Sequence, residues 1–505
     1  MSLALLDRQH TVAKPGFNRW LIPPAALAVH LSIGQVYATS VYKASLVDHF
    51  DSNLTRIGVI FSIAIVMLGL SAALFGTWVD TGGPRRAMAT AALFWSGGFM
   101  VGSLGIATDQ LWLVYLGYGF IGGIGLGIGY ISPVSTLIKW FPDHPGLATG
   151  MAIMGFGGGA MIASPLSAKL LGIFDTSYDP AAGIATGAAV AKLFVTLGLL
   201  YLVLMSFGAW LIRVPAEGWQ PQGFDPSKVK KKALVSSDDV SADNAIKTRQ
   251  FWLLWVVLFC NVTAGIGILE QASPMIQDFF REGDSTTVGA ASAAGFVGLL
   301  SLFNLAGRFG WSSASDVVGR KNIYVVYLGL GIILYALLAF QGSGSTTLFA
   351  LLAGIIVSFY GGGFATAPAY LRDLFGTFQV GAIHGRLLTA WAAAGVAGPL
   401  IINRILDSQG KPGSLTSGDY RPALLTMVGV LMVGFVANLL ISPVDERFHE
   451  QRTDAEPSSE TQAATAKHDV PVDSAGPLIV IAWVVVSIPL AYGIYETVAK
   501  AADLF

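Results

Sequence analysis

Residues 80–86 read Asp80-Thr81-Gly82-Gly83-Pro84-Arg85-Arg86, and residues 316–321 read Asp316-Val317-Val318-Gly319-Arg320-Lys321. Each is a short acid–glycine–basic turn between two long apolar runs, and the two acids lie 236 positions apart (316 − 80 = 236). Two other landmarks keep nearly the same shift. Pro133 with Lys139-Trp140-Phe141 matches Pro368 with Asp373-Leu374-Phe375 at 235, and Ser164-Pro165 matches Gly398-Pro399 at 234. A near-constant offset of this length predicts an internal repeat, two halves built alike.

The surrounding composition says where those halves reside. Of 505 residues, 53% are hydrophobic and 12% charged, about half the charge of a soluble protein. Sixty glycines lie largely within apolar runs, where small residues let membrane helices approach closely. A spanning helix needs about 20 mostly apolar residues. By that ruler spans fall near 20–45, 55–79, 87–107, 111–139, 147–172 and 187–212, and again near 251–280, 287–311, 322–341, 346–371, 381–405 and 421–443. The expected fold is an all-α membrane protein of two six-helix halves, 12 transmembrane helices, plus one extra C-terminal helix.

The expected units are a cytoplasmic N-terminal segment (1–19), the first half (20–212), a cytoplasmic linker (213–250) with Lys228, Lys230, Lys231 and Lys232, and the second half (251–443). A flexible linker (444–475) and the extra helix (476–505) follow. Pro477–Tyr495 carries no charge; it fits a further span, with an interfacial or partner-packed helix as the alternative. Residues 1–19 lack an apolar core of signal-peptide length, so the first span directs insertion. Most Lys and Arg fall on one side if the N-terminus is cytoplasmic, which predicts a multi-pass protein of the plasma (inner) membrane.

A net charge of −1 gives no case for nucleic acid. The single cysteine, Cys260, excludes a disulfide framework and a multi-cysteine metal site. No metal, cofactor or catalytic cluster is expected: the spans hold no acid pair and no nucleophile–base spacing.

Intramembrane charge marks function or an obligatory pair, and Arg308 is the clearest instance. Its repeat equivalent lies near the small, neutral Ala72, so symmetry does not demand the charge. A guanidinium presents a rigid fork of donors that suits a carboxylate; snorkelling to the cytoplasmic interface is the plainer alternative. Asn304 stands one turn earlier on the same face, placed to orient the guanidinium or to hydrogen-bond the substrate directly. Gln35 and Tyr37 belong to an unusually polar stretch of span 1, and Gln271 is the counterpart of Gln35 in span 7. Tyr37, Tyr130, Phe359, Tyr360 and Trp391 are candidate walls of a small site, each also readable as plain packing. Glu270 and His30 are candidate proton-coupling groups, against a solvated outer position for the first and ordinary packing for the second. In the two turns, Asp80, Arg85, Arg86, Asp316, Arg320 and Lys321 read as conformational-switch residues that pair with helix ends in one state, or as positive-inside anchors.

Several segments carry a family resemblance. They are Gly34-Gln35-Val36-Tyr37 with Ser40-Val41-Tyr42, Lys139-Trp140-Phe141-Pro142-Asp143 leading to Gly146-Leu147-Ala148-Thr149-Gly150, and Phe251-Trp252-Leu253-Leu254-Trp255. Tyr360-Gly361-Gly362-Gly363-Phe364 and His384-Gly385-Arg386-Leu387-Leu388-Thr389-Ala390-Trp391 complete the set. Over about residues 18–443 the chain resembles the oxalate:formate antiporter family of major-facilitator carriers, whose six-helix repeats hold a site near the midplane. Its tail, with Ile488-Pro489-Leu490-Ala491-Tyr492-Gly493, looks like a single-helix small subunit found with some of these carriers, here fused.

The resemblance implies antiport or symport of small carboxylates such as oxalate, formate, lactate or pyruvate, with a proton or counter-anion as coupling partner, by a functional monomer in the lipid bilayer. Dicarboxylate exchangers of the family use a helix-8 arginine, which carries over to Arg308, and a helix-11 lysine, whose place is taken here by Trp391. One fixed cation favours a monocarboxylate, with Arg386 and Lys43 as candidate second charges. Related carriers have an acid where Asn304 stands. A carboxylate-binding membrane sensor on the same scaffold is the alternative from another class.

Overall fold

The computed structural model describes residues 6–52, 54–178, 184–221, 239–282, 285–288, 290–410, 415–450 and 476–501. Span 1 runs as Ile22–Ile33, tightens into a 3-10 segment at Gly34–Ala38, and resumes as Ser40–His49. Spans 2 to 6 are Leu54–Gly82, Pro84–Ala107, Leu111–Trp140, Pro145–Phe174 and Gly187–Leu211. Spans 7 to 12 are Arg249–Phe279, Ala290–Val318, Arg320–Gly344, Thr346–Phe375, Val380–Gln409 and Ser417–Leu439, and a tail helix covers Pro477–Ala501. Among the described residues twelve helices, the tail among them, are long and apolar enough to cross a membrane. Span 8, with 29 residues, matches them in length but carries Arg308 and Asp316. Among the described residues strand pairing is confined to a two-residue hairpin, Arg281–Glu282 with Ser285–Thr286, just before span 8, and an isolated parallel bridge between Val12 and Val214.

The repeat is visible in backbone geometry. Gly83 and Gly319 precede spans 3 and 9 and hold φ of +87° and +92°, a region side chains disfavour. The turn therefore requires glycine at both positions, 236 residues apart (319 − 83 = 236). The helices enclose a buried aliphatic and aromatic core, while Leu74, Val317 and Val203 stand outward at 75%, 86% and 66% exposure. That apolar exterior suits lipid.

The halves meet where glycines remove side-chain bulk. A β-carbon at Gly385 in span 11 would collide with the Ala72 carbonyl of span 2, and one at Gly69 would sit 2.7 Å from Ala392 Cβ. Between spans 5 and 8, a β-carbon at Gly150 would lie 3.0 Å from the Arg308 carbonyl. Association in lipid relies on this close approach, since apolar burial itself gains little there.

The tail helix docks on the bundle. Trp483 Nε1 donates to the Trp20 carbonyl at 3.2 Å, and Val486 packs on Leu27 and Ala28 of span 1. Farther along, Gly493 faces the backbone of Met161 in span 5, and Thr497 lies against Gly298 in span 8. It thus touches both halves, starting at the end where span 1 begins.

Candidate substrate site between the halves

Arg308 lies well inside span 8 with its side chain fully buried, at 0% exposure. Its Nε donates to Asn304 Oδ1 at 2.9 Å, one helical turn back, and its Nη1 donates to the Ile153 carbonyl of span 5 at 3.4 Å. The cation is thus held across the two halves, and the snorkelling alternative does not describe it. Its Nη2 is buried without a hydrogen-bond partner, and among the described residues no carboxylate pairs with it.

Glycine makes room for the guanidinium. A β-carbon at Gly157 would sit 3.1 Å from Arg308 Nε, and one at Gly361 would sit 2.5 Å from Asn304 Oδ1 and 3.1 Å from Arg308 Cγ. The guanidinium carbon lies 5.1 Å from the Phe364 ring centroid and 5.9 Å from those of Phe156 and Tyr360. Such contacts stabilise a cation without neutralising it.

The aromatic shell continues through both halves. Trp391 packs on Phe364 at 5.3 Å and on Phe156 at 6.0 Å, and Tyr130 packs on Phe156 and Phe364 at 5.5 and 5.6 Å. Tyr37 meets Phe156 edge-on at 5.2 Å. Tyr37 faces Tyr360, and the charge of Arg308 acts on both Tyr37 and Tyr130. Within this shell Tyr37 Oη, Tyr130 Oη and Trp391 Nε1 are buried with no hydrogen bond of normal geometry. Three neutral donors and one cationic donor thus lie within one aromatic shell, with the Tyr360 hydroxyl beside that of Tyr37. A carboxylate, with four lone-pair positions, suits that set.

Of the expected site residues, Arg308, Asn304, Tyr37, Tyr130, Tyr360 and Trp391 are brought together. Gln35 is turned away: its amide bonds Tyr42 and Tyr118 at 3.0 Å each, inside the first half. Gln271 donates to Asn403 Oδ1 at 2.6 Å, again away from Arg308. Arg386 is no second substrate cation, because it pairs with Asp243 and the Ala242 carbonyl. The side chain of Glu270, the lysine cluster 228–232 and Phe505 lie outside the described residues. Phe359 packs on Trp311 and Tyr327 instead of the shell. Phe156, Phe364 and His384 were missed as site residues. The glycines flanking Phe156 and Phe364, in Gly155-Phe156-Gly157-Gly158-Gly159 and Gly361-Gly362-Gly363-Phe364, were the available signal.

The two acid–glycine–basic turns divide their labour. Asp316 accepts from the Gly146 and Leu147 amides at 2.9 Å each, capping the N-terminus of span 5 in the opposite half. Asp80 accepts from the Ala382 amide at 2.9 Å, capping span 11 in the same crossed sense. Lys139 stands 3.7 Å from Asp80, and Arg320 pairs with Asp316 and, at 3.3 Å, with Asp373. A carboxylate at a helix N-terminus is favoured by the free amides and the dipole together. The remaining basic residues stay within their own half. Arg85 reaches the Trp210 and Ile212 carbonyls at the end of span 6, and Lys321 the Leu439 and Ile441 carbonyls at the end of span 12. Arg86 lies 5.6 Å over the Trp78 ring. The aspartates bridge the halves, Arg85 and Lys321 hold helix-end carbonyls, and Arg86 rests on an indole ring.

A family model described as Major Facilitator Superfamily matches residues 25–399. Among curated proteins, the chain is 25% identical over 382 residues to the oxalate:formate antiporter of Oxalobacter formigenes, covering 75% of this chain and 83% of that one. It is 27% identical over 362 residues to apicoplast pyruvate carrier 1 of Toxoplasma gondii, covering 61% and 62%. Among solved structures, the fucose:proton symporter of Escherichia coli superposes with a TM-score of 0.61 at 16% identity, covering 85% of this chain and 100% of that one.

Proposed function

The chain belongs to the Major Facilitator Superfamily, and on that footing we propose that it is a secondary transporter of a small monocarboxylate, with Arg308 as the anion anchor. The observation that carries the reading is the donor set of Arg308 Nη2, Tyr130 Oη and Trp391 Nε1, buried and without hydrogen-bond partners, with Tyr37 beside Tyr360 in the same shell. An isolated buried guanidinium is costly by several kcal/mol, and a bound carboxylate offsets that cost while meeting the donors. Relatives named for oxalate, formate and pyruvate support the substrate class.

One cation and an aromatic at Trp391 favour a monoanion over oxalate. The crossed caps support a reading of alternating access in which Asp316 and Asp80, when engaged, latch the halves at that end, and their release lets the halves rock about the site. The density of Lys and Arg there supports a cytoplasmic assignment for the latched end.

The test is counterflow in proteoliposomes with labelled formate, lactate, pyruvate and oxalate, for the wild type and Arg308→Gln. Losing charge-assisted hydrogen bonds of about 1.5–3 kcal/mol predicts a loss of roughly 10- to 150-fold in monocarboxylate exchange. Undiminished exchange by Arg308→Gln would remove the anchor. Binding without flux in the wild type would point to a sensor.

A further inference from the structure

His30 sits at 0% exposure in span 1, and both its ring nitrogens face backbone carbonyl oxygens. Nδ1 is 2.6 Å from the Ala152 carbonyl of span 5, and Nε2 is 3.1 Å from the Tyr130 carbonyl of span 4. A carbonyl oxygen only accepts. A neutral imidazole has one N–H and one bare lone pair, so in the neutral ring one of these contacts sets lone pair against lone pair. Only the imidazolium donates to both. The ring also stacks on Tyr130, with centroids 5.3 Å apart and planes 13° from parallel.

The neighbouring carbonyl of span 5, that of Ile153, accepts from Arg308. His30 and Arg308 are therefore seated on successive peptide units of one helix. The charged or titratable groups that face His30, among the described residues, are Arg308 from span 8, His384 from span 11 and Tyr130 from span 4. Span 5 presents carbonyls alone. Arg308 repels a proton on His30; an anion seated on Arg308 cancels that repulsion.

We infer that His30 is the proton-binding residue of the transporter, protonated together with carboxylate binding at Arg308, which makes the protein a proton–monocarboxylate symporter. The inference rests on the functional reading above. The proton passes from water to the bare ring nitrogen as the anion seats, and returns to water on the other side when the anion leaves. By linkage, the anion raises proton affinity by the same factor as the proton raises anion affinity. Symport then runs in the direction of the combined gradients.

The first measurement is proton uptake by detergent-solubilised protein in weak buffer when lactate, pyruvate or formate is added. About one proton per bound anion is expected, with anion affinity falling up to about tenfold per pH unit as the coupled range is crossed. Carboxylate binding without proton uptake overturns the symport inference and leaves the anchor standing. Absence of any carboxylate binding overturns the functional reading and this inference with it. The second measurement uses His30→Gln, which keeps a donor for one carbonyl but binds no proton. It is expected to lose both proton uptake and accumulation driven by a pH gradient, and to bind the anion with an affinity that no longer varies with pH. Retained proton uptake in that variant, or its loss instead in His384→Gln or Glu270→Gln, overturns the assignment to His30. If His30→Gln does not fold, infrared difference spectra of ring-labelled histidine in the His384→Gln protein decide. Anion-induced imidazolium bands support the assignment, and their absence overturns it.

Discussion

Replacing Asp316 by Asn should open the latched end more than the same change at Asp80. Asp316 accepts two amide hydrogen bonds at 2.9 Å from the first turn of span 5 and pairs with Arg320. Asp80 accepts one, from Ala382, with Lys139 3.7 Å away. An asparagine keeps one acceptor oxygen and loses the charge. At Asp316 that forfeits one charge-assisted bond of about 1.5–3 kcal/mol and a dipole contribution of about 0.3–1 kcal/mol. The latched conformer should fall by about 2–4 kcal/mol relative to the open one, roughly a 30- to 1,000-fold shift. At Asp80 the single amide is kept and mainly the charge is lost, so the shift should stay near tenfold, about 1.4 kcal/mol. The readout is electron–electron distance spectroscopy on spin labels at Glu217→Cys and Asn322→Cys in a Cys260→Ala background. Both labelling sites are exposed and flank the latched end in opposite halves. Equal shifts for the two variants, or an unmoved distance distribution with Asp316→Asn, would refute the assignment of the aspartates as interlocking caps.

Three further outcomes follow from packing. Asn304→Ala leaves the guanidinium without its 2.9 Å partner; a loss of about 1–2 kcal/mol in carboxylate affinity is expected, read as a roughly 5- to 30-fold rise in KM with the melting temperature little changed. Gly361→Ala drives a methyl into Asn304 and Arg308 Cγ, so overpacking of about 1–3 kcal/mol should lower both thermal stability and exchange. The same change at Gly157, whose nearest neighbour is the Arg308 side chain at 3.1 Å, should be milder in stability than in transport.

The architecture was legible because its signals are long. Apolar runs of spanning length and a 236-residue shift survive any error of a few residues at a boundary, and the turn glycines at 83 and 319 carry the same geometry in both halves. Arg308 was legible for the opposite reason, as one charge where the repeat has a small residue. Gln35 misled because polarity within a span reads the same whether the side chain faces a cavity or, as here, two tyrosines of its own half. Phe156 and Phe364 could not be told from packing aromatics, since ring identity says nothing about which face a helix turns toward its partner. Which half each basic residue of the turns serves was equally hidden. Arg85 and Lys321 fasten helix ends 236 residues apart (321 − 85 = 236), a role that the turn motif alone does not separate from bridging.

The tail helix has a kinetic consequence. It leans on spans 1 and 5 in one half and span 8 in the other, surfaces that would move relative to one another under the proposed rocking of the halves. Because residues 440–476 join it covalently to span 12, re-docking is a unimolecular event governed by an effective concentration that the length of this connection sets. Each contact can therefore be weak enough to break every turnover and still be occupied most of the time. A detached copy of the same helix would need comparable concentrations in the bilayer to compete for that seat.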